Sequence, residues 1–392
     1  MRFKLHGLIK PPFVLLPLSL LIGNAGAVDF QVGEIDGQLD SSLSIGTSIS
    51  TANPDPKQLN SATGDDGRRN FRSGDAFSGI FKGNHDLELR HADMGVFVRG
   101  TYWYDYVLRD TDQRFKNVED NNRKTSAKSA GAELLDAFAF YNYSIADQPG
   151  SARLGKQVVN WGESTFIQGG LNVVNPFNLS ALRRPGSEVK EGLVPVNMFY
   201  VSQNLSESLS GDFFYQLDWE QTQLDNCGTF FSSNDFLADG CSGLDVGNVL
   251  TGNANAVRGL TPFGVNLTNE GIRIPRAKDD DARNDGQWGM SLRWFASELD
   301  TEFGAYVANY HSRLPYMGTI SSPYATNTAF ARQLCSNIGV PLANCNTFMN
   351  SANGQTLAGA LRLGTSQYLA QYPEDIRLYG LSFSTNLSTG TA

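Results

Sequence analysis

The sequence predicts an all-β fold: an antiparallel transmembrane β-barrel with long extracellular loops and short periplasmic turns. Three observations lead to this prediction. Polar and apolar residues alternate with a period of two in many segments of the 392-residue chain, which is the pattern of strands with one apolar and one polar side. Long and short connections alternate between these segments, and the chain begins with an export signal.

The export signal occupies residues 1–27. Residues 2–10 contain three basic side chains, residues 13–22 form a short apolar core, and residues 25–27 read Ala-Gly-Ala, a small-residue cleavage site. A membrane anchor would need about 20 apolar residues, and Pro17 interrupts a core that is already shorter. We therefore expect a cleaved signal peptide and a mature chain over residues 28–392.

The strands are read from the alternation itself. In "GDFFYQLDWEQ" the apolar side chains Phe213, Tyr215, Leu217 and Trp219 share one face, opposite Asp212, Gln216, Asp218 and Glu220. The same pattern recurs over residues 37–50, 81–90, 95–106, 286–296 and 376–387, with less regular strands predicted at 133–145, 193–203 and 301–314. Each of these segments predicts a strand with one side suited to an apolar environment.

The connections determine the predicted architecture. Long links cover residues 52–79, 107–131, 160–192, 223–285 and 313–373, and short turns fall near 91–95, 146–151, 204–208 and 297–300. Since successive antiparallel strands place alternate connections at opposite ends of a sheet, all long loops should emerge at one end. This is typical of a membrane barrel. A soluble sandwich or solenoid is the alternative, but no fixed-length repeat supports a solenoid.

Four cysteines lie in two of the long links. The even count and short spacing in an exported chain predict disulfides, most simply Cys227–Cys241 and Cys335–Cys345. The sequence leaves the other two pairings open. Metal binding is less favoured because no histidine lies near either pair and neither has C-x-x-C spacing.

Composition argues against several functional classes. The net charge of −9 provides no basic surface for nucleic acid. The acidic stretch "AKDDDARNDG" is interpreted as a solvated turn, because it lacks the glutamate that completes an EF-hand loop. The mature chain has only three histidines and no nucleophile elbow, zinc-binding or phosphate-binding motif. We therefore expect no enzymatic activity and no cofactor or metal.

The connection over residues 160–192 combines apolar residues with closely spaced opposite charges, which is unusual for a solvated loop. We expect it to fold back into the barrel and form a constriction or plug. Its charged residues are Glu163, Arg183, Arg184, Glu188, Lys190 and Glu191. They would meet the inward-facing Arg99, Asp212 and Arg293, since opposing charges across a narrow pore select solutes. The alternative is an external loop whose charges pair locally.

The segments "GKQVVNWGESTFIQGG", "NVVNPFNLSALRRPG" and "EVKEGLVPVNMFY" resemble the signature stretch of the domain-of-unknown-function 1302 family. The resemblance covers most of the mature chain and implies a proteobacterial, pseudomonad-type outer-membrane protein of uncharacterised activity. Family members are often encoded beside RND-type exporters and a second periplasmic or outer-membrane protein. They are also longer, and barrel chains typically end in an aromatic residue, so we expect a truncated product lacking later strands.

Three functions are compatible with these observations. The resemblance favours an accessory of RND-type export that helps to move hydrophobic or lipidic molecules through the outer membrane with a periplasmic partner. A selective porin-like channel for small solutes would instead conduct ions. A surface-exposed adhesin or receptor would bind through its disulfide-clipped loops.

Overall fold

The computed structural model of the chain describes residues 27–59, 63–162, 170–171, 174–241, 243–247, 250 and 252–385. Its architecture is all-β and mostly antiparallel, as the alternation predicts. The predicted signal peptide falls almost entirely outside the described residues. Among the described helices, none combines the length and apolar character needed to cross a membrane.

One eleven-stranded sheet dominates the fold. Its strands are β1 (Val28–Val32), β2 (Ile35–Ile49), β3 (Ala76–His91), β4 (Met94–Asp105), β5 (Ala130–Ile145), β6 (Gln148–Gln157), β7 (Val196–Asn204), β8 (Leu209–Gln216), β12 (Trp288–Ala296), β13 (Thr301–Tyr310) and β16 (Ile376–Thr385). They pair in this chain order, and every pair is antiparallel. All nine segments predicted to be strands are found here. Strand β6 lies between the predicted turn near 146–151 and the predicted long link 160–192, and strand β1 with the turn that follows it is additional.

The connections between sheet strands alternate in length as the sequence predicts. Tight turns join β1 to β2, β3 to β4, β5 to β6, β7 to β8 and β12 to β13, whereas the other five links contain 24 or more residues. The β5–β6 turn places Ala146 and Asp147 at positive φ, the backbone shape of the two-residue turns that match strand twist. All tight turns therefore lie at one end of the sheet and all long connections at the other.

The long connections contain the remaining elements. These are strands β9 (Leu244–Val246), β10 (Asn266–Thr268), β11 (Gly271–Ile274), β14 (Tyr316–Ile320) and β15 (Gln367–Gln371), and helices α1 (Asp66–Asn70), α2 (Tyr106–Asp110), α3 (Leu179–Leu182), α4 (Ala254–Leu260), α5 (Phe330–Asn337), α6 (Cys345–Met349) and α7 (Ala352–Gly364). Helices α4, α5 and α7 pack their apolar sides into one core around Leu260, Leu334 and Leu361. The two longest connections thus form a helical cap rather than flexible loops.

Both expected disulfides are present. Cys227 bonds to Cys241 and Cys335 bonds to Cys345, which closes segments with sequence separations of 14 and 10 residues. The second disulfide joins α5 to the start of α6, and both of its cysteines are buried. Each bond limits the conformational freedom of a long connection in the unfolded chain, which stabilises the folded form.

The two faces of the main sheet differ in polarity. On the apolar face, paired residues form a row from Leu89 through Val96, Ala139 and Leu154 to Phe199. Many large apolar side chains on this face are exposed; the exposed fraction is 80% for Ile45 and 86% for Leu381. On the polar face, Ser42, Asn84, Thr101 and Glu133 form a comparable row.

The described strands form an open sheet. Among the described residues, β1 pairs only with β2 and β16 pairs only with β13, so each has one edge without a partner there. Strand β16 carries Tyr379, Leu381 and Phe383 on its apolar side, and all three are strongly exposed. Closure of the sheet into a barrel therefore remains a prediction from the sequence.

Candidate functional site

The connection between β6 and β7, residues 158–195, lies against the polar face of the main sheet. We call its described part, residues 158–162, 170–171 and 174–195, the inner connection. Pro185 packs directly on Gly46 of β2, and Leu171 packs on Gly380 of β16, where any larger side chain would collide with them. Since the inner connection contacts both the second and the last strand of the sheet, the sheet must curve around it.

Apolar packing fixes one half of the inner connection. Its residues Val159, Trp161, Leu171 and Val174 share a buried core with sheet residues Val196, Met198, Phe214, Tyr306 and Ala308. The indole of Trp161 lies 5.5 Å from the rings of both Phe214 and Tyr306. This contact converts the centre of the polar face into a small hydrophobic core.

A buried ion pair fixes the other half. Nζ of Lys82, on β3, lies 2.7 Å and 2.8 Å from the two carboxylate oxygens of Glu191, and Nδ2 of Asn84 donates to the same carboxylate at 2.7 Å. The side chains of Lys82 and Glu191 are each only 3% exposed. Buried charges without partners are strongly destabilising, so each of these side chains depends on the other.

Glu191 reaches its position through a short 3-10 turn, Val189–Glu191. Its side chain also accepts a hydrogen bond from the backbone N–H of Glu188, which forms a capping box at the start of the turn. Glu188 in turn accepts a hydrogen bond from Ser42 of β2 at 3.3 Å. Local turn chemistry therefore aims Glu191 at Lys82.

A second group of charges lies nearer the tight turns. Asp86 accepts two hydrogen bonds of 2.8 Å from Arg99 and lies 3.5 Å from Nζ of Lys190. Arg99 also donates to Asp136 at 3.1 Å. Acidic and basic side chains alternate across this cluster. The sequence predicts that the connection meets Arg99, and in the structure Lys190 reaches Arg99 only through Asp86.

Arg183 and Arg184 point to different partners. Arg184 lies over the indole of Trp103 at 3.9 Å and donates to the backbone oxygen of Ser126. Burial lowers the pKa of Arg184 to about 10, which leaves it protonated at neutral pH. Arg183 instead forms an ion pair with Asp225, a residue of the β8–β12 connection, so it joins two connections rather than facing the sheet.

The remaining predicted site residues differ in whether they contact the inner connection. Arg293 donates to the backbone oxygen of Trp161 and so contacts the inner connection. Asp212 accepts hydrogen bonds from Tyr200 at 3.0 Å and Ser291 at 2.9 Å, all on neighbouring sheet strands. Glu163 lies outside the described residues.

Several polar residues that hold the inner connection were not among the predicted site residues. Asn175 accepts from the backbone N–H of Val159 at 2.9 Å and donates to the backbone oxygens of Gln157 and Val194. Gln216 donates to the backbone oxygen of Val174 at 2.6 Å. These amides satisfy backbone groups of an irregular segment that would otherwise be buried without partners.

One carboxylate cluster lies outside this site. Asp65, Asp66 and Asp235 place carboxylate oxygens within 4.8 Å of one another, an arrangement that could hold a cation. Arg69 and Lys116 already pair with Asp65 and Asp66 at 2.9 Å and 2.7 Å. Burial, with a further contribution from Asp66, raises the pKa of Asp235 to about 6.

Comparison with known proteins gives one match. The family model described as "Protein of unknown function (DUF1302)" matches residues 13–392. No curated protein and no solved structure matches the chain.

The buried ion pair predicts a large effect of removing one partner. Glu191→Gln should lower the free energy of unfolding by about 3–5 kcal/mol, because Lys82 is left buried without a countercharge. Lys82→Met combined with Glu191→Leu should recover most of this loss. Urea unfolding of the purified chain, followed by tryptophan fluorescence, measures both values.

The exposed pair of Arg114 and Asp75 provides the matched control, and Arg114→Gln should cost at most about 1 kcal/mol. If Glu191→Gln costs no more than Arg114→Gln, the ion pair does not anchor the inner connection.

The raised pKa of Asp235 predicts that the free energy of unfolding decreases as the pH rises. The pKa in the folded chain, about 6, exceeds the unfolded value of about 3.9. The folded state therefore binds the proton more tightly, and stability is lost as pH rises from about 4 through 6. Asp235→Asn should remove this loss and stabilise the chain at pH 7.5 by about 1–2 kcal/mol, after allowance for partial exposure.

At pH 4, Asp235→Asn should have little effect on the free energy of unfolding. Asp285→Asn, in an exposed position of the same connection, is the control for a general effect of charge. An equal gain for Asp235→Asn at both pH values would contradict the assignment.

Proposed function

The chain belongs to the DUF1302 family, and we propose that it is an outer-membrane β-barrel that takes part in the transport of hydrophobic or lipidic molecules. In this proposal it works as an accessory of an RND-type exporter of the inner membrane, with a periplasmic partner between them. One observation carries the proposal: the main sheet exposes an apolar face and covers its polar face.

The apolar face has the character of a lipid-contacting surface. Ile45, Tyr379, Leu381 and Phe383 are between 73% and 86% exposed, and similar side chains follow on the other strands. Apolar patches of this extent are rare on monomers in water and mark contacts with membranes or other proteins. Hydrocarbon accommodates such side chains without cost, while the polar groups of the strands point to the opposite face.

A bilayer also requires the sheet to be closed. Each unpaired backbone group costs several kcal/mol in hydrocarbon, because no water is present to replace the missing hydrogen bond. The unpaired edges of β1 and β16 therefore need partners in the membrane. The contacts of the inner connection with both β2 and β16 support a sheet that is already curved towards closure.

The covered polar face favours an accessory of transport over a permanently open pore. The Lys82–Glu191 pair and the stacking of Arg184 on Trp103 hold the inner connection against the polar face, which in a closed barrel would line the interior. Solute passage along this face would require the connection to move. The long connections and the helical cap would face the cell exterior, and the tight turns would face the periplasmic partner.

The lipid contact can be tested on the apolar face. Leu381→Arg should lower the stability of the chain in lipid vesicles by about 2–4 kcal/mol, because arginine is costly at the hydrocarbon midplane. Leu342→Arg is the control, since Leu342 is 64% exposed but lies among the helices of the cap. Equal stability of the two variants, or a parent chain that stays monomeric without detergent, would exclude membrane insertion.

The transport role can be tested in a bacterium that carries the gene beside an exporter. Deletion should change the amount of at least one lipid class in the isolated outer membrane by twofold or more, and a plasmid copy should restore it. In planar bilayers the purified chain should not give a steady ion conductance. Steady, ion-selective conductance with an unchanged lipid content would instead indicate a porin-like channel.

A further inference from the structure

We propose that the polar face carries a binding site for an amphiphilic anion with a long alkyl chain, centred on Arg153. This inference rests on the proposed function and specifies the chemistry of the molecule that is carried. The site consists of Arg153 on β6 together with the rings of Phe97, Phe138 and Tyr200 on strands β4, β5 and β7. We call these four residues the arginine–aromatic patch.

The guanidinium of Arg153 is held between two rings. Its Cζ atom lies 5.6 Å from the centroid of Phe138 and 5.5 Å from that of Tyr200. Phe97 extends the aromatic surface, since its ring lies 5.4 Å from that of Phe138. Register pairing of Phe97 with Phe138, and of Arg153 with Tyr200, places the patch on the side of the sheet that faces the inner connection.

Arg153 differs from the neighbouring arginines in lacking a countercharge. Arg99 pairs with Asp86 and Asp136, and Arg90 pairs with Glu88. Within the part of the chain that the structure describes, Arg153 forms ring contacts only, with neither a salt bridge nor a hydrogen bond. Its guanidinium N–H groups are therefore available to a carboxylate, for which their planar arrangement is suited.

The rings supply the second half of the recognition. Phe97 and Phe138 are half-buried on a face that otherwise carries mostly polar groups, and they offer an apolar surface directly beside the cation. A long-chain carboxylate matches both features, because its head group pairs with Arg153 while its alkyl chain lies along the rings. A small inorganic anion would leave the aromatic surface without a partner.

The position of the patch fits entry from the side of the tight turns. Phe97 lies two residues from Arg99, and Phe138 lies two residues from Asp136, in each case towards the tight turns. The charge cluster that contacts Lys190 therefore lies immediately beyond the patch. An amphiphile bound there would meet the inner connection before it could advance along the polar face.

Photolabelling of the full chain in lipid vesicles tests the proposal. The probe is a palmitic acid that carries a diazirine near the middle of its chain, and labelled peptides are identified by mass spectrometry. We expect labels on residues of the patch and, from probe dissolved in the bilayer, on apolar-face residues such as Leu154 and Phe199. Arg153→Gln should reduce patch labelling at least fivefold and leave apolar-face labelling unchanged.

Three controls separate the possible explanations. Arg153→Lys retains the charge and should keep patch labelling within threefold of the parent. Arg90→Gln removes a paired arginine from the same face and should change patch labelling less than twofold. A trimethylammonium probe with the same chain should label the patch at least fivefold less than the carboxylate.

The outcomes distinguish this proposal from the one on which it rests. Apolar-face labelling without patch labelling, or patch labelling that Arg153→Gln leaves unchanged, would overturn the binding site and leave the membrane assignment intact. Loss of apolar-face labelling in the parent would overturn both. Apolar-face labelling in each variant also reports that the variant has folded.

Discussion

The opposition between the two faces of the main sheet is the constraint on which the rest of the structure depends. Period-two alternation places large apolar side chains such as Ile45 and Leu381 on one face, where they are exposed. The other face gathers Lys82, Asn84 and Asp86, whose charged or amide groups need partners when they leave water. The first face requires an apolar surrounding, and the second requires polar partners.

The inner connection meets the second requirement. It brings a carboxylate to Lys82, an ammonium group to Asp86 and backbone oxygens to Arg293 and Gln216. An irregular segment is suited to this role because its own backbone groups are bound by Asn175 and by the turn at Glu191. The cost of burying these charges is offset only while the connection stays in place, so these contacts both stabilise the fold and keep the connection over the polar face.

Local patterns in the sequence predicted the fold well, because strand alternation and turn placement are properties of short segments. The strands, their order and both disulfides follow from such patterns. The pairing of Lys82 with Glu191 joins residues 109 positions apart, and no local signal links them. Arg183 and Arg184 are adjacent in sequence yet bind Asp225 and Trp103, because backbone direction in an irregular segment is set by tertiary contacts. Similarly, α5 and α7 form in connections that were expected to be loops, where their shared core stabilises them.

Spin labels on β12 test the central claim most directly. The four natural cysteines form two disulfides, so single cysteines can be introduced along Trp288–Ala296 and labelled in lipid vesicles. Collisions with oxygen, which concentrates in hydrocarbon, should peak at Met290, Leu292 and Trp294 and fall at Ser291 and Arg293. Collisions with a water-soluble nickel chelate should be least frequent at Met290, Leu292 and Trp294. Free access of the chelate to Met290 and Leu292, or no alternation along the strand, would contradict a lipid-facing sheet.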